Sequence, residues 1–296
     1  MDGIVNVNKP SGPTSFAVVA QLRRLLKERR VGHGGTLDPL ASGVLPIFLG
    51  KATRLVEYLQ EYPKTYRAGI VLGVTTDTYD AQGRVISTAD PGDITISTVL
   101  AALEHFRGTI TQIPPAFSAL KRDGQPLYEL ARQGLVPEVA PRQVFVYRLE
   151  LINFHSNLVT LEVECSKGTY IRSLANDLGR MLGVGAHLGS LVRTAYGPFD
   201  INNAISLEGL TEAGAMGTVC TFVHPLDAVL TSWPMVVLTE EQSEAVRCGR
   251  QLALEVGELR RLRAYGTDNR LIALLAPDDE TGAWRSIKVF GSALSD

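Results

Sequence analysis

The segment VFVYRLELINFHSNLVTLEVECSKGTYIRS, Val144 to Ser173, limits the fold more than any other part of the chain. It is rich in β-branched and aromatic residues, breaks near His155–Asn157, and ends in the turn SKGTY. Two long strands with so short a connection pair as antiparallel neighbours. A helix, SLANDLGRMLG, follows and stops at glycine. Upstream, GIVNV reads as a strand, and FAVVAQLRRLLKERR places Val18, Val19, Leu22, Leu25 and Leu26 at helical spacing. LPIFLG is a buried apolar run, and ATRLVEYLQEY is helical. KTYRAGIVLGVTTDT and GRVIST are strands, and STVLAALEHFRGTI is a helix that ends at glycine. Strands come in runs without strict alternation with helices. The expected class is therefore α+β: a mixed, largely antiparallel sheet with flanking helices.

The chain has 296 residues, 45% hydrophobic and 20% charged, enough for a sizeable core and more than one domain. The text changes character through HPLDAVLTSWPMVVL, after which it is short, partly strand-like and acidic. This predicts a large domain over 1–231 and a small β-containing one over 234–296. Residues 1–200 carry 21 Lys+Arg against 18 Asp+Glu, and residues 201–296 carry 8 against 13. The densest basic cluster, QLRRLLKERR, is either a solvated helix face or a phosphate-contacting edge. The start, MDGIVNVNKPSG, has no basic run followed by an apolar one. No apolar run reaches the roughly 18 residues of a membrane span. Cys165, Cys220 and Cys248 are odd in number, far apart and without metal spacing, which fits a reducing cytoplasm.

Chemistry concentrates in VGHGGTLDPLASGVLPIFLGKATR, Val31 to Arg54, where a lone carboxylate, Asp38, sits in a glycine-dense apolar turn. The stretch is no phosphate loop: six residues separate Gly43 from Gly50, and Ala52 follows Lys51. Dinucleotide, zinc-protease, CxxC and nucleophile-elbow motifs are absent. The five histidines never stand at ligand spacing, so neither cofactor nor metal is expected. Asp38 either caps its turn or works as a nucleophile or base. In the second case Gly32, Gly34 and Gly35 admit a ligand closely. Leu37, Leu40 and Val44 reduce the solvation of the carboxylate, and a cation must partner it. Arg172, after the SKGTY turn, is the best such cation, and Tyr66 in KTYR offers a stacking face for a base. These residues suit glycoside hydrolysis, nucleoside transfer or base isomerisation. No second acid stands near Asp38 in sequence, as a standard glycosidase requires.

The loop GHGGTLDPLASGVLPIFLGKATR strongly resembles the signature motif of the bacterial tRNA pseudouridine-55 synthase family. VNKPSGPTS, KTYRAGIVLGVTTDTYDAQG, IPPAFSALKRDGQPLYELARQG and CSKGTYIRSLANDLG resemble further blocks of that family in the same order, covering roughly residues 1–200. The resemblance implies the pseudouridine synthase fold and conversion of one T-loop uridine of tRNA to pseudouridine, without metal or cofactor. Asp38 then resembles the catalytic aspartate, attacking C1′ or C6 of the target nucleotide. Tyr66 resembles the tyrosine that stacks on the base, and Arg172 the arginine paired with the aspartate. His33 resembles the histidine that fills the space of the flipped nucleotide, and Lys9 and Pro10 the pair that buttresses the site. Asp80 resembles an acid near the flipped bases, and Leu191 an apolar wall of the uracil pocket.

By the same resemblance, 121–141 is a thumb-loop insertion that clamps the T-stem. Lys121, Arg122, Arg132 and the nearby Arg142 are its phosphate contacts. Residues 234–296 resemble, loosely, a small PUA-like RNA-binding domain. The expected partner is the tRNA T-arm, with no membrane and no required protein partner, for a monomeric cytoplasmic enzyme. Two other readings stand beside it: an RNA-binding or tRNA-folding module without turnover, and an enzyme acting on free nucleosides. A pure binder has no use for Asp38, and a nucleoside enzyme has none for a thumb loop.

Overall fold

The computed structural model describes residues 1–117, 121–122, 125–127 and 139–290. Gly3–His224 form one compact unit, and a second begins at Pro225.

The sheet of the first unit is built around the two strands read first. β10 (Arg142–His155) and β11 (Leu158–Cys165) pair antiparallel through a connection at Ser156–Asn157. Eight strands run in the order β14, β1, β3, β12, β4, β11, β10, β7. The others on this path are β1 (Gly3–Lys9), β3 (Ser42–Leu49), β4 (Lys64–Leu72), β7 (Gly108–Gln112), β12 (Ala186–Tyr196) and β14 (Ile205–Ser206). Three short strands join at the side: β2 (Val31–His33) on β3, β13 (Phe199–Asp200) on β12, and β15 (Val223–His224) on β1. Only β1–β14 and β3–β12 pair in parallel, so the sheet is mixed and mostly antiparallel. β5 (Val74–Thr76) and β6 (Val85–Thr88) form a separate hairpin, and β8 (Lys121–Arg122) pairs with β9 (Gln125–Pro126).

The helices form where apolar spacing and caps allow. α1 (Ser15–Leu26) starts at Thr14, whose hydroxyl accepts from the Ala17 N–H, and buries Val18, Val19 and Leu22. α2 (Val56–Leu59) is a single turn behind a 3₁₀ segment, shorter than the apolar pattern of ATRLVEYLQEY suggests. α3 (Ile96–Leu103) is capped by Thr95, and α4 (Ile171–Met181) turns one broad face inward. α5 (Leu207–Met216) begins at the Ser206 cap. The main core lies between these helices and the sheet. It includes Val5, Leu22, Leu45, Ile47, Tyr66, Ala68, Ile70, Leu174 and Leu178.

Strand β12, between β3 and β4, carries no clear signal in sequence: Gly189, Ser190, Arg193 and Thr194 interrupt it. Its register with β4 shifts at Leu188/Ser190 and again at Arg193/Ala195. Such bulges re-aim side chains beside functional sites.

The second unit holds the sheet β16 (Met235–Val237), β17 (Leu262–Tyr265), β18 (Leu271–Pro277) and β19 (Trp284–Val289), in that order. Helix α6 (Glu240–Arg247) is fixed by a full capping box between Thr239 and Gln242. Leu238, Val246, Leu262, Ile272, Leu275 and Trp284 form its own core. Among the described residues no helix is long and apolar enough to cross a membrane.

Candidate active site

The loop between β2 and β3 carries Asp38, and it is tied down by the chain just before and inside α1. The Ser15 hydroxyl accepts from the Leu37 N–H at 2.8 Å and donates to the Leu37 carbonyl at 3.0 Å. The Gly12 N–H donates to the Pro39 carbonyl at 2.8 Å, and the Ser11 hydroxyl to the Leu40 carbonyl at 3.1 Å. From the other side comes Arg193 of β12, whose side chain is fully buried. Its Nε donates to the Val44 carbonyl at 2.7 Å and its Nη2 to the Gly35 carbonyl at 3.1 Å. The Tyr196 hydroxyl donates to the Gly34 carbonyl at 3.1 Å. Pinning at both ends fixes the backbone, so the aim of Asp38 does not depend on loop motion.

Two expectations about this loop change. Leu37 and Val44 are buried, yet the Asp38 side chain is 41% exposed. Val44 is buried away from the cavity, whereas Leu37 lines it together with the carboxylate. The close approach at Gly34 and Gly35 is likewise internal. A Cβ on Gly34 would lie 2.4 Å from Leu59 Cδ2, and one on Gly35 3.2 Å from the Tyr196 ring. These glycines admit packing side chains, not a ligand.

The cavity, of about 340 Å³, is lined by Asp38, Tyr66, Arg172 and Leu191, with Lys64 and Arg142 among its other walls. Arg172, in the first turn of α4, is almost wholly buried. Its Nε stands 3.0 Å from Asp38 Oδ2, a charge pair whose N–H is not aimed along the contact. The rest of the guanidinium is anchored: Nη1 stands 3.4 Å from Asp80 Oδ2 and donates to the Thr78 carbonyl, and Nη2 donates to the Phe117 carbonyl at 3.0 Å. Asp80 is also buried. Its Oδ1 accepts from the Thr78 hydroxyl at 2.6 Å and the Gln82 N–H at 3.0 Å. Arg172 is thus held by one buried carboxylate and presents its remaining edge to an exposed one.

Tyr66 and Leu191 come from neighbouring strands: Tyr66 pairs with Arg193, and Leu191 with Ala68. Both are 8% exposed and give the cavity an apolar floor. Burial raises the Tyr66 phenol above its ordinary 10, against the pull of the Arg193 charge, so it is protonated at neutral pH. Gln112 of β7 holds the chain ahead of α4: its side chain accepts from the Tyr170 N–H at 3.0 Å and donates to the Tyr170 carbonyl at 3.2 Å. Arg142 donates to the Gly168 carbonyl and lies 4.6 Å from the Tyr170 ring centroid.

Lys9, Pro10 and His33 are not on the cavity lining. Lys9 is fully buried and donates to the Pro10 carbonyl at 2.9 Å and the Pro13 carbonyl at 2.8 Å. Burial lowers its ammonium to about 8, opposed by the Asp38 charge and reinforced by Arg193. His33 is held below its ordinary 6.5 by burial and by Arg193, so its ring is neutral near pH 7. The Lys121 side chain and all of Arg132 lie outside the described residues, as does most of the expected thumb loop. Ser15, Gln112 and Arg193 were not legible as site residues. Among the described residues, no three His, Cys, Asp or Glu side chains stand together as a metal site would need.

An exposed carboxylate beside a buried arginine, over a tyrosine and leucine floor at one edge of a mixed sheet, belongs to the pseudouridine synthase fold. A chain from a Cbf5–Nop10–Gar1 complex shares it at TM-score 0.75 and 30% identity, covering 98% of this chain and 85% of that one. An H/ACA RNP bound to a substrate RNA containing 2′-deoxyuridine matches at 0.73 and 27%, with 98% and 86% covered. Residues 23–171 match the N-terminal domain of the TruB family pseudouridylate synthases, and 172–231 match the tRNA pseudouridylate synthase B C-terminal domain. The tRNA pseudouridine synthase B of Dehalococcoides mccartyi is 45% identical over 98% of this chain and 97% of its own. That of Clostridium perfringens is 41% identical over 95% and 97%. The chain belongs to the TruB family of pseudouridylate synthases.

Proposed function

We propose that the chain converts uridine 55 in the T-loop of tRNA to pseudouridine, with Asp38 as the nucleophile. The observation that carries this reading is the Asp38–Arg172 pair, 3.0 Å apart, at the mouth of the cavity floored by Tyr66 and Leu191. The target nucleotide flips out of the T-loop at a cost of a few kcal/mol. Stacking on an aromatic ring, worth roughly 1–3 kcal/mol per base, offsets part of it. Arg172, 3.0 Å away, holds the Asp38 carboxylate in place by its charge. Asp38 adds to the nucleotide at C1′ or C6, N1–C1′ breaks, the uracil turns within the cavity, C5–C1′ forms, and the bond to Asp38 breaks to restore the carboxylate. C5 loses a proton and N1 gains one, so the reaction is an isomerisation. Tyr66, a neutral phenol that burial raises further above 10, enters as a stacking surface and proton relay.

Lys9 and Pro10 stiffen the Asp38 loop from behind, His33 fills the place of the flipped nucleotide, and Asp80 serves the site by anchoring Arg172. The first unit, Gly3–His224, acts as the catalytic domain expected over 1–231. The thumb at 121–141, with Lys121, Arg132 and Arg142, clamps the T-stem, and 234–296 work as a PUA-like RNA-binding domain. The enzyme acts in the cytoplasm as a monomer. The names of its relatives support tRNA as the substrate. A binding module without turnover leaves the exposed Asp38 carboxylate without a use.

The test is tritium release from tRNA transcript labelled at uridine C5, because forming C5–C1′ expels that hydrogen. Wild type releases tritium; Asp38→Asn binds the transcript and releases none. Binding without release by the wild type would overturn the reading.

A further inference from the structure

Lys64 is a charged cavity residue to which the reaction above gives no task. It opens β4, two residues before Tyr66, so both side chains leave the same face of the strand. That face runs inward through Ala68, Ile70 and Leu72, all part of the core. Lys64 stands where this apolar row emerges, and it lines the cavity together with Asp38, Tyr66 and Leu191.

Among the described residues no carboxylate stands in ion-pair contact with it. In register, Lys64 faces Cys165 of β11 on one side and Tyr196 of β12 on the other. Its Nζ lies 4.7 Å from the centroid of the Tyr196 ring. Arg193 on β12 and Lys167 beyond β11 are close enough to repel it, and Cys165 is a thiol raised to about 11 by burial. No carboxylate pairs with Lys64 among the described residues: Arg172 holds both Asp38 and Asp80. A half-buried ammonium with three donors and only an aromatic face beside it has unused capacity directed at whatever fills the cavity.

We propose that the Lys64 ammonium binds a carbonyl oxygen of the target uracil and stabilises the negative charge on the base as N1–C1′ opens. This rests on the reaction proposed above. If Asp38 attacks C1′, the electrons of N1–C1′ stay with the base, spread over N1 and the two carbonyl oxygens; if it attacks C6, the addition itself places negative charge on the C4 carbonyl oxygen. A base stacked on Tyr66 turns its edges to the cavity walls, and Lys64 is the neighbour of Tyr66 on that strand face. A fixed cation in a partly dehydrated pocket opposes this charge far more strongly than water does. It also helps keep the freed uracil in place while it turns.

Burial and the nearby Arg193 lower Lys64 to about 8, so it is charged at neutral pH and loses its charge as the pH rises through that value. An arginine in its place stays charged throughout. This gives a readout that a packing role would not move. The experiment compares kcat, kcat/KM from pH 6 to 10, and transcript Kd for wild type, Lys64→Met and Lys64→Arg on one tRNA transcript. Lys64→Met should lose about 100-fold in kcat with Kd nearly unchanged, the scale of removing one charge-stabilising donor. Lys64→Arg should recover most of the rate at pH 7. Its kcat/KM should persist at alkaline pH, where that of the wild type falls.

Wild-type kcat in Lys64→Met overturns the proposal. A loss confined to transcript affinity also does so, and makes Lys64 a phosphate contact. An alkaline limb unmoved in Lys64→Arg overturns it even if Lys64→Met fails to fold. A wild type that forms no pseudouridine sinks the underlying reaction instead, and this role with it.

Discussion

The two units each bury an arginine against an aspartate, and the two pairs are finished differently. In the second unit Arg263 Nη1 stands 3.1 Å from Asp227 Oδ2, the Tyr265 hydroxyl donates to the same oxygen, and Arg263 Nε donates to the Trp233 carbonyl at 3.0 Å. Both side chains are 15% exposed or less. In the first unit Arg172 is buried to a similar degree, but Asp38 is 41% exposed. The same two residue types make a closed knot in one place and an open valence in the other. A pair whose partners are all internal holds the chain together; a pair with one oxygen left to the cavity can act on something else.

Breaking the open pair should give the largest effect. Asp38→Asn removes the proposed nucleophile and should lower single-turnover pseudouridine formation by more than about 1,000-fold. The carboxylate is exposed, so the thermal midpoint should move by no more than a few degrees. A large loss of stability would show that Asp38 is structural after all. Arg172→Met should strike both properties. It leaves Asp80 buried without its cation, at about 3 kcal/mol in urea unfolding, and it abolishes most of the turnover. The closed pair should separate them the other way. Asp227→Asn should cost roughly 1–3 kcal/mol with kcat unchanged, because only internal donors lose their acceptor.

The smallest effect sharpens the comparison through pH. Burial, the hydrogen bond to Asp227 and its charge raise Tyr265 to about 12, above its value of 10 in an unfolded chain. A phenol raised on folding contributes stability that is fully present below pH 10 and lost as the pH climbs through 12. Tyr265→Phe should therefore flatten the alkaline fall in stability and remove one late-titrating group from the absorbance titration. An identical titration in the variant would mean that the knot does not protect the phenol.

The open pair was legible in sequence because each half stands in a distinctive turn: Asp38 follows a glycine run, and Arg172 follows SKGTY. Tyr66, Leu191 and Asp80 were named as well, and the structure gathers all five around one guanidinium and one cavity. The exposure of Asp38 was misread because burial of its sequence neighbours does not bury the carboxylate: Leu37 and Val44 are buried while Asp38 stays 41% exposed. The anchors were not legible for a related reason. Ser15, Gln112 and Arg193 act on backbone groups of distant segments, and a hydrogen bond to a carbonyl leaves no pattern in the residue that offers it. The strands of the hairpin announced themselves by alternation. β12 did not, because its glycine, serine and buried arginine follow the needs of the loop beside it.

Arg172 also has a history within each molecule. Asp38 leaves the ribosome early, and Asp80 and Phe117 follow. The guanidinium that touches all three is made only afterwards. The pocket around that guanidinium therefore cannot be assembled during synthesis until Arg172 has followed the segments it joins.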